Sequence, residues 1–146
     1  MSSLLLYTDV SLKDEWMSLG WIIYEVSDTF ERKLVDLGSR AINTERHPRE
    51  WTANLGEFRA LISGVRAAME YSESVILCCT DNGYVAHRAD NREPITDDGY
   101  FHHALHSFLG RFNDWRVKEI NRSDNELAHD MANLTRRAAE KEGSIV

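Results

Sequence analysis

The sequence predicts an α/β domain built on one mixed sheet, and three observations carry that prediction. Three strand-like apolar runs between Leu4 and Ala41 lie close enough together to form an antiparallel meander. A stretch with helical spacing separates them from a fourth run, Ser74 to Thr80, which is continuously apolar and suits a strand buried on both faces. Helix-like and strand-like segments then alternate to the end of the chain, giving the order β-β-β-α-β-α-α-β-α.

The first strand is read from Leu4 to Val10, ending around Asp9, and the second from Leu19 to Val26. A weaker third, Lys33 to Ala41, alternates less cleanly. Asn43 to Trp51 is polar, contains Pro48, and reads as a loop. Leu55, Phe58, Leu61, Ile62, Val65, Ala68 and Met69 then recur at three and four residues, which is one buried helix face, and Thr52 and Asn54 mark its start. The buried fourth strand ends at Asp81. Tyr84 to Arg88 suits a short helix, Ala89 to Gly99 a polar loop, Tyr100 to Phe112 a third helix, and Trp115 to Ile120 the last strand. The closing helix is predicted from a capping box, Ser123-x-x-Glu126, with Leu127, Ala128, Met131, Leu134 and Ala138 as its apolar stripe. No repeat, low-complexity tract or linker divides residues 1–146, so one domain is expected, with the last few residues disordered.

Composition limits the functional classes. A chain of 146 residues, 42% hydrophobic and 28% charged, can bury roughly 70% of its unfolded surface and needs no disulfide or metal staple to fold. Its polar clusters therefore call for another explanation. Cys78 and Cys79 are adjacent in an apolar strand, where their side chains point to opposite faces, so a reducing compartment is expected. No stretch approaches the ~20 apolar residues of a membrane span, and the opening Met-Ser-Ser-Leu-Leu-Leu has no basic flank, so a cytoplasmic location is expected. The net charge of -7 opposes a general electrostatic grip on nucleic acid. Thirteen arginines against four lysines nevertheless favour local bidentate contacts with phosphate.

Three acids stand where strands and a helix would carry chemistry: Asp9, Glu57 and Asp81. Neighbouring first and fourth strands would set Asp9 and Asp81 side by side, and like charges so close call for a divalent cation. Oxygen ligands favour magnesium or manganese, and two such ions ~3.5–4 Å apart suit in-line phosphodiester hydrolysis. Each acid also has an ordinary alternative: Glu57 as a near capping box with Asn54, Asp9 and Asp81 as strand-end turn residues.

In order, Tyr7-Thr8-Asp9-Val10-Ser11, the run from Thr52 through Asn54 and Glu57 to Leu61, Thr80-Asp81-Asn82, and the run from Arg122 through Asn125 to Ala132 resemble type 1 ribonuclease H over nearly the whole chain. The resemblance implies a ribonuclease H-like fold, three antiparallel strands followed by two parallel ones. It implies hydrolysis of the RNA strand of RNA/DNA hybrid with two Mg2+ or Mn2+ ions held by four acidic groups, giving 5′-phosphates. Asp9, Glu57 and Asp81 match the first three acids. His129 stands where the fourth belongs, with Asp130 one residue later as the alternative. A neutral imidazole can ligate a metal, and nitrogen there would favour manganese. Thr52, Asn54, Asn82, Arg122 and Asn125 are the implied substrate contacts, although Thr52 and Asn54 also suit helix starts, and Arg122 and Asn125 also suit a fastening of strand to helix. Val10 replaces the family's usual glycine, Leu12-Lys13-Asp14-Glu15-Trp16 replaces a Gly-rich turn, and a Lys-rich protrusion is missing, leaving Arg88, Arg92 and Arg111 as substitutes. His102, His103 and His106 invite a zinc reading that lacks further ligands nearby.

The expected partner is RNA/DNA hybrid, with neither a membrane nor an obligate protein partner. A DNA nuclease or junction resolvase of the same fold is one rival, because a fold does not fix a substrate. A non-catalytic nucleic-acid-binding module is the other, favoured by Val10, the altered turn and His129 and opposed by the three acids.

Overall fold

The computed structural model describes residues 3–46, 52–71, 74–91 and 99–145. Its elements are β1 (Ser3–Lys13), β2 (Trp16–Val26), β3 (Arg32–Asn43), α1 (Ala53–Ala68), β4 (Val75–Thr80), α2 (Gly83–Asp90), α3 (Gly99–Leu109), β5 (Asp114–Glu119) and α4 (Glu126–Ile145). They form one five-stranded sheet in the order β3-β2-β1-β4-β5. β1, β2 and β3 pair antiparallel, while β4 pairs parallel with both β1 and β5. The predicted mixed sheet is therefore present, three antiparallel strands followed by two parallel ones.

Alternation along β1 divides the two layers. Leu4 and Leu6 join Phe58, Leu61 and Val65 of α1 in the main core, and Ile76, Cys78, Leu105 and Leu109 complete it. The intervening positions face α4. That helix lies close to the sheet because Gly20 of β2 has no side chain: a Cβ there would stand 2.8 Å from the Ala128 carbonyl oxygen and 3.0 Å from the Ala132 nitrogen. Gly20 pairs with Asp9 across the strands, so the close approach occurs beside Asp9. Among the described residues, no helix is long and apolar enough to cross a membrane.

Several boundaries differ from the sequence reading, each for a physical reason. β1 does not end near Asp9; it continues to Lys13 because Val10 to Lys13 pair with Leu19 to Trp16. The hairpin closes through Asp14 and Glu15, with Asp14 at φ 54, a left-handed conformation that Asp tolerates better than most residues. A bulge at Ile23/Tyr24 breaks the alternation of β3, which explains the weak pattern there. The Ser123 capping box is not formed: Arg122–Asp124 is a 3-10 turn. The apolar stripe assigned to the last helix is also rotated, for Ala128, Ala132 and Arg136 are buried while Leu127 and Leu134 are 48% and 62% exposed. Small residues let the helix backbone reach Gly20, and that contact outweighs burial of the leucines. α4 runs to Ile145. Trp51 and Arg92 lie outside the described residues.

Gly20→Ala should therefore destabilise the protein by about 1–3 kcal/mol, because the new methyl group meets helix backbone and not a movable side chain. Urea unfolding checks this; an unchanged midpoint would show that α4 can shift freely.

Candidate active site

The pairing of β1 with β4 runs from Leu4 opposite Ile76 to Tyr7 opposite Cys79, and the same register continued sets Asp9 opposite Asp81. β4 ends at Thr80, so Asp81 opens towards Asp9 at the point where the parallel strands part. Glu57 reaches the same point from the first turns of α1, whose start is fixed by Leu55 N–H donating to Thr52 Oγ1 at 3.2 Å. Each of the three offers an oxygen within 4.8 Å of the others. All are shielded from water: Asp9 is 4% and Glu57 6% exposed, and the Asp81 side chain 9%.

Burial of like charges perturbs them strongly. The Glu57 carboxyl is pushed up to about 9, first by burial, then by the charges of Asp9 and Asp81 and by a hydrogen bond with Asp9. Thr80 Oγ1 donates to Glu57 Oε2 at 3.3 Å and opposes the shift only in part. Asp9 is raised chiefly by burial and further by Asp81, against the backbone N–H of Val10 and the imidazole of His129. Asp81 Oδ2 is buried and has no hydrogen-bond partner. Arg122 Nε is 3.9 Å from it, on a side chain that is 82% exposed and well screened. Three converging carboxyl groups, one with an orphaned oxygen, are a donor set that could hold a hard divalent cation.

His129 stands beside this group, with Nδ1 2.8 Å from Asp9 Oδ2 and Nε2 2.9 Å from Asn133 Nδ2. The imidazole is therefore a hydrogen-bond partner of a candidate ligand, and the metal-competent group found among the described residues comprises Asp9, Glu57 and Asp81. Asp130, the alternative fourth ligand, is exposed one step of about 100° further round the helix.

The family described as reverse transcriptase-like matches residues 18–135. The chain belongs to that family. Its fold is that of type 1 ribonuclease H. The ribonuclease H1 of the halophilic archaeon Halobacterium salinarum NRC-1 superposes with a TM-score of 0.76 at 23% identity, covering 91% of this chain and 96% of that one. The N-terminal ribonuclease H domain of Rv2228c from Mycobacterium tuberculosis, solved as a fusion with maltose-binding protein, gives 0.77 at 16% identity over 98% and 99% of the two chains. LC11 ribonuclease H1 in complex with RNA/DNA hybrid gives 0.74 at 14% identity over 93% and 98%. No curated protein sequence matches the chain.

Around the acids of this reverse transcriptase-like domain opens a cleft of about 440 Å³, lined among others by Asp9, Glu57, Asp81, Asn82, Arg122 and His129. A larger cavity, about 510 Å³, lies between α2 and β5 and includes none of the three carboxylates. Asn82 caps α2 by accepting from Val85 N–H at 3.0 Å, and its amide donates to Asn54 Oδ1 at 2.8 Å, tying the starts of α1 and α2 together at the rim. Thr52 is exposed on the same side of α1. Asn125 departs from the substrate-contact expectation: it is 1% exposed and its amide donates to the Thr8 carbonyl at 2.8 Å, fastening α4 to β1. Val10, on the α1 side of β1, fills the space left by Gly56, where a Cβ would come within 3.1 Å of its Cγ1. Of the arginines read as substitutes for a basic protrusion, Arg88 stacks on Tyr84, its guanidinium 4.2 Å from the ring centre, and Arg111 is exposed. His102 and His106 place their Nε2 atoms on the carbonyls of Asn91 and Ala89, which explains them as props for the end of α2. Sequence reasoning missed Ser11, Thr80, Asn133 and Arg136. A usable signal was present: polar residues at helical spacing after His129, facing a serine two residues after Asp9.

The Glu57 shift fixes a pH dependence. Folded protein keeps this proton to about pH 9, whereas the unfolded chain releases it near 4.5. Between those limits the unfolded state binds fewer protons, so Glu57's contribution, full below about pH 4.5, is lost as pH rises through about 9. Asp9 acts in the same direction. In chelator, Glu57→Gln should be more stable than the parent by at least ~1 kcal/mol at about pH 8.5 and should flatten the slope, and excess divalent cation should erase that advantage. Urea midpoints across this range test it; identical slopes in parent and variant would contradict the buried proton.

Proposed function

We propose that this protein is a metal-dependent endonuclease that hydrolyses the RNA strand of RNA/DNA hybrids. The observation that carries the reading is the convergence of Asp9, Glu57 and Asp81 in a water-poor site with an unpartnered carboxylate oxygen, an arrangement costly to maintain without a cation. In this reading Asp9, Glu57 and Asp81 would hold two Mg2+ or Mn2+ ions, with the Glu57 carboxyl deprotonated when the site is loaded. The chemistry such ions supply is acidification of the attacking water and neutralisation of charge on the leaving 3′-oxygen, giving 5′-phosphate products.

The remaining residues bind and orient. The starts of α1 and α2 present backbone N–H groups and the side chains of Thr52, Asn54 and Asn82 at the rim, suited to sugar and phosphate oxygens. Contacts to 2′-hydroxyls across a wide minor groove distinguish RNA from DNA, and Asn54 is the candidate for that role. Arg122, exposed beside Asp81, suits a phosphate flanking the scissile bond. Asn125 serves this site by holding α4 against β1, and His129 by holding Asp9.

End-labelled hybrid, duplex DNA, duplex RNA and four-way junction, each incubated with magnesium and with manganese, test the proposal. The expected result is cleavage of the RNA strand of hybrid alone. Asp81→Asn should lower it by at least ~100-fold, since even outer partners of a metal site cost 10–100-fold, while leaving the fold intact. Cleavage confined to junction or duplex DNA would move the protein to the DNA-nuclease reading, and binding without cleavage to the non-catalytic one.

A further inference from the structure

The geometry points to a positioning chain, Arg136–Ser11–Asn133–His129, that holds the imidazole as the Nδ1–H tautomer and thereby fixes the orientation of the Asp9 carboxylate. The chain is set by two periodicities. Asp9 and Ser11 lie on the α4 face of β1, two residues and about 6.6 Å apart. His129, Asn133 and Arg136 lie on one stripe of α4 at i, i+4 and i+7, the first two about 6 Å apart along the axis. Strand and helix steps therefore match, and Ser11 meets both Asn133 and Arg136 while Asp9 meets His129.

The direction of every bond follows from one end. Arg136 is 8% exposed, and its guanidinium can only donate; Nε gives its hydrogen to Ser11 Oγ at 2.7 Å. Ser11 must then accept there and spends its single hydroxyl proton on Asn133 Oδ1 at 2.6 Å. That orients the amide, so Asn133 Nδ2 donates to His129 Nε2 at 2.9 Å. Nε2 must carry a lone pair, which leaves the ring proton of a neutral imidazole on Nδ1, 2.8 Å from Asp9 Oδ2. Glu140, bonded to Arg136 Nη1, anchors the far end. Reversing the Asn133 amide would turn the Ser11 hydroxyl proton away from its partner and set an Nδ1 lone pair against a carboxylate.

Two consequences go beyond the proposed activity. Both ring nitrogens are engaged, so His129 acts through Asp9 and does not offer a nitrogen to a cation; the centre is one of three carboxylates with an imidazole behind the first. Asn133, Ser11 and Arg136 are positioning residues for that imidazole, none of them touching the cleft acids directly.

The test reads the tautomer in ion-free protein, where no activity is needed. Long-range 1H–15N correlation spectra of the imidazoles, with His129 assigned by His129→Gln, should show the Nδ1–H pattern. Asn133→Asp, similar in shape but unable to donate, should convert His129 to the Nε2–H form, and Asn133→Ala should give a mixture. The activity arm rests on the nuclease reading: with hybrid and manganese, Asn133→Asp should lose roughly 10–100-fold in kcat with KM little changed. A parent spectrum showing Nε2–H, or an unchanged pattern in both Asn133 variants, would overturn the chain. The expected spectra in a protein that cleaves nothing would leave the chain standing and defeat the nuclease reading alone.

Discussion

Three carboxyl groups pressed together where water is largely excluded set the terms for everything around them. In water, acids this close would repel weakly; in the interior the repulsion and the loss of hydration are both large, and the site can persist only if protons or cations neutralise it. A proton on Glu57 is one solution, and a divalent cation is the other. Burial is what makes the exchange possible: the forces that retain the proton also favour a multiply charged ion of the right size.

That constraint explains the two helices clamped on opposite faces of β1. α1 brings Glu57 across from one side, and the packing of Met17 and Val10 against Gly56 sets how near the helix comes. α4 brings His129 from the other, and Gly20 sets its distance. Asp9 lies between, with Asn125, just ahead of α4, tying down the carbonyl just before it. The apolar core between the sheet and α1 stabilises the fold. The contact of α4 with the sheet is comparatively polar and is organised around hydrogen bonds, which are directional and so fix angles that apolar packing leaves looser.

The same contrast decides what was legible in the sequence. The order of elements along the chain could be read because strand-like runs and a helix of clear period are local signals, whereas the arrangement of strands in the sheet came from the resemblance to ribonuclease H; Asp9, Glu57 and Asp81 stood out because acids are rare at the positions those signals imply. The ends of β1 and β2 were not legible, since their extension comes from mutual pairing, a long-range effect on residues with little strand character of their own. The last helix misled for a related reason. A stripe of Leu127, Met131 and Leu134 is the obvious buried face, yet the helix turns Ala128, Ala132 and Arg136 inward because the close approach at Gly20 and the partners waiting on Ser11 and Asp9 are worth more than burying two leucines. Asn133 and Arg136 look like surface residues until the serine opposite them is known.

On the proposed nuclease reading, an acidic chain must meet polyanionic nucleic acid, and the way it would do so follows from where its charges sit. A net charge of -7 would repel a hybrid at long range, so approach depends on the local field at the cleft. With Glu57 protonated the site carries less negative charge than its three acids suggest. The N-termini of α1 and α2, joined through Asn54 and Asn82, direct two helix dipoles towards the same rim. Arg122 adds an exposed cation beside Asp81, screened enough to exchange its weak carboxylate contact for a phosphate. These short-range attractions would act only once a duplex lay along the rim, while the overall charge would discourage loose binding elsewhere on the surface. On that reading, selectivity for a correctly seated duplex would arise from the opposition of global and local charge.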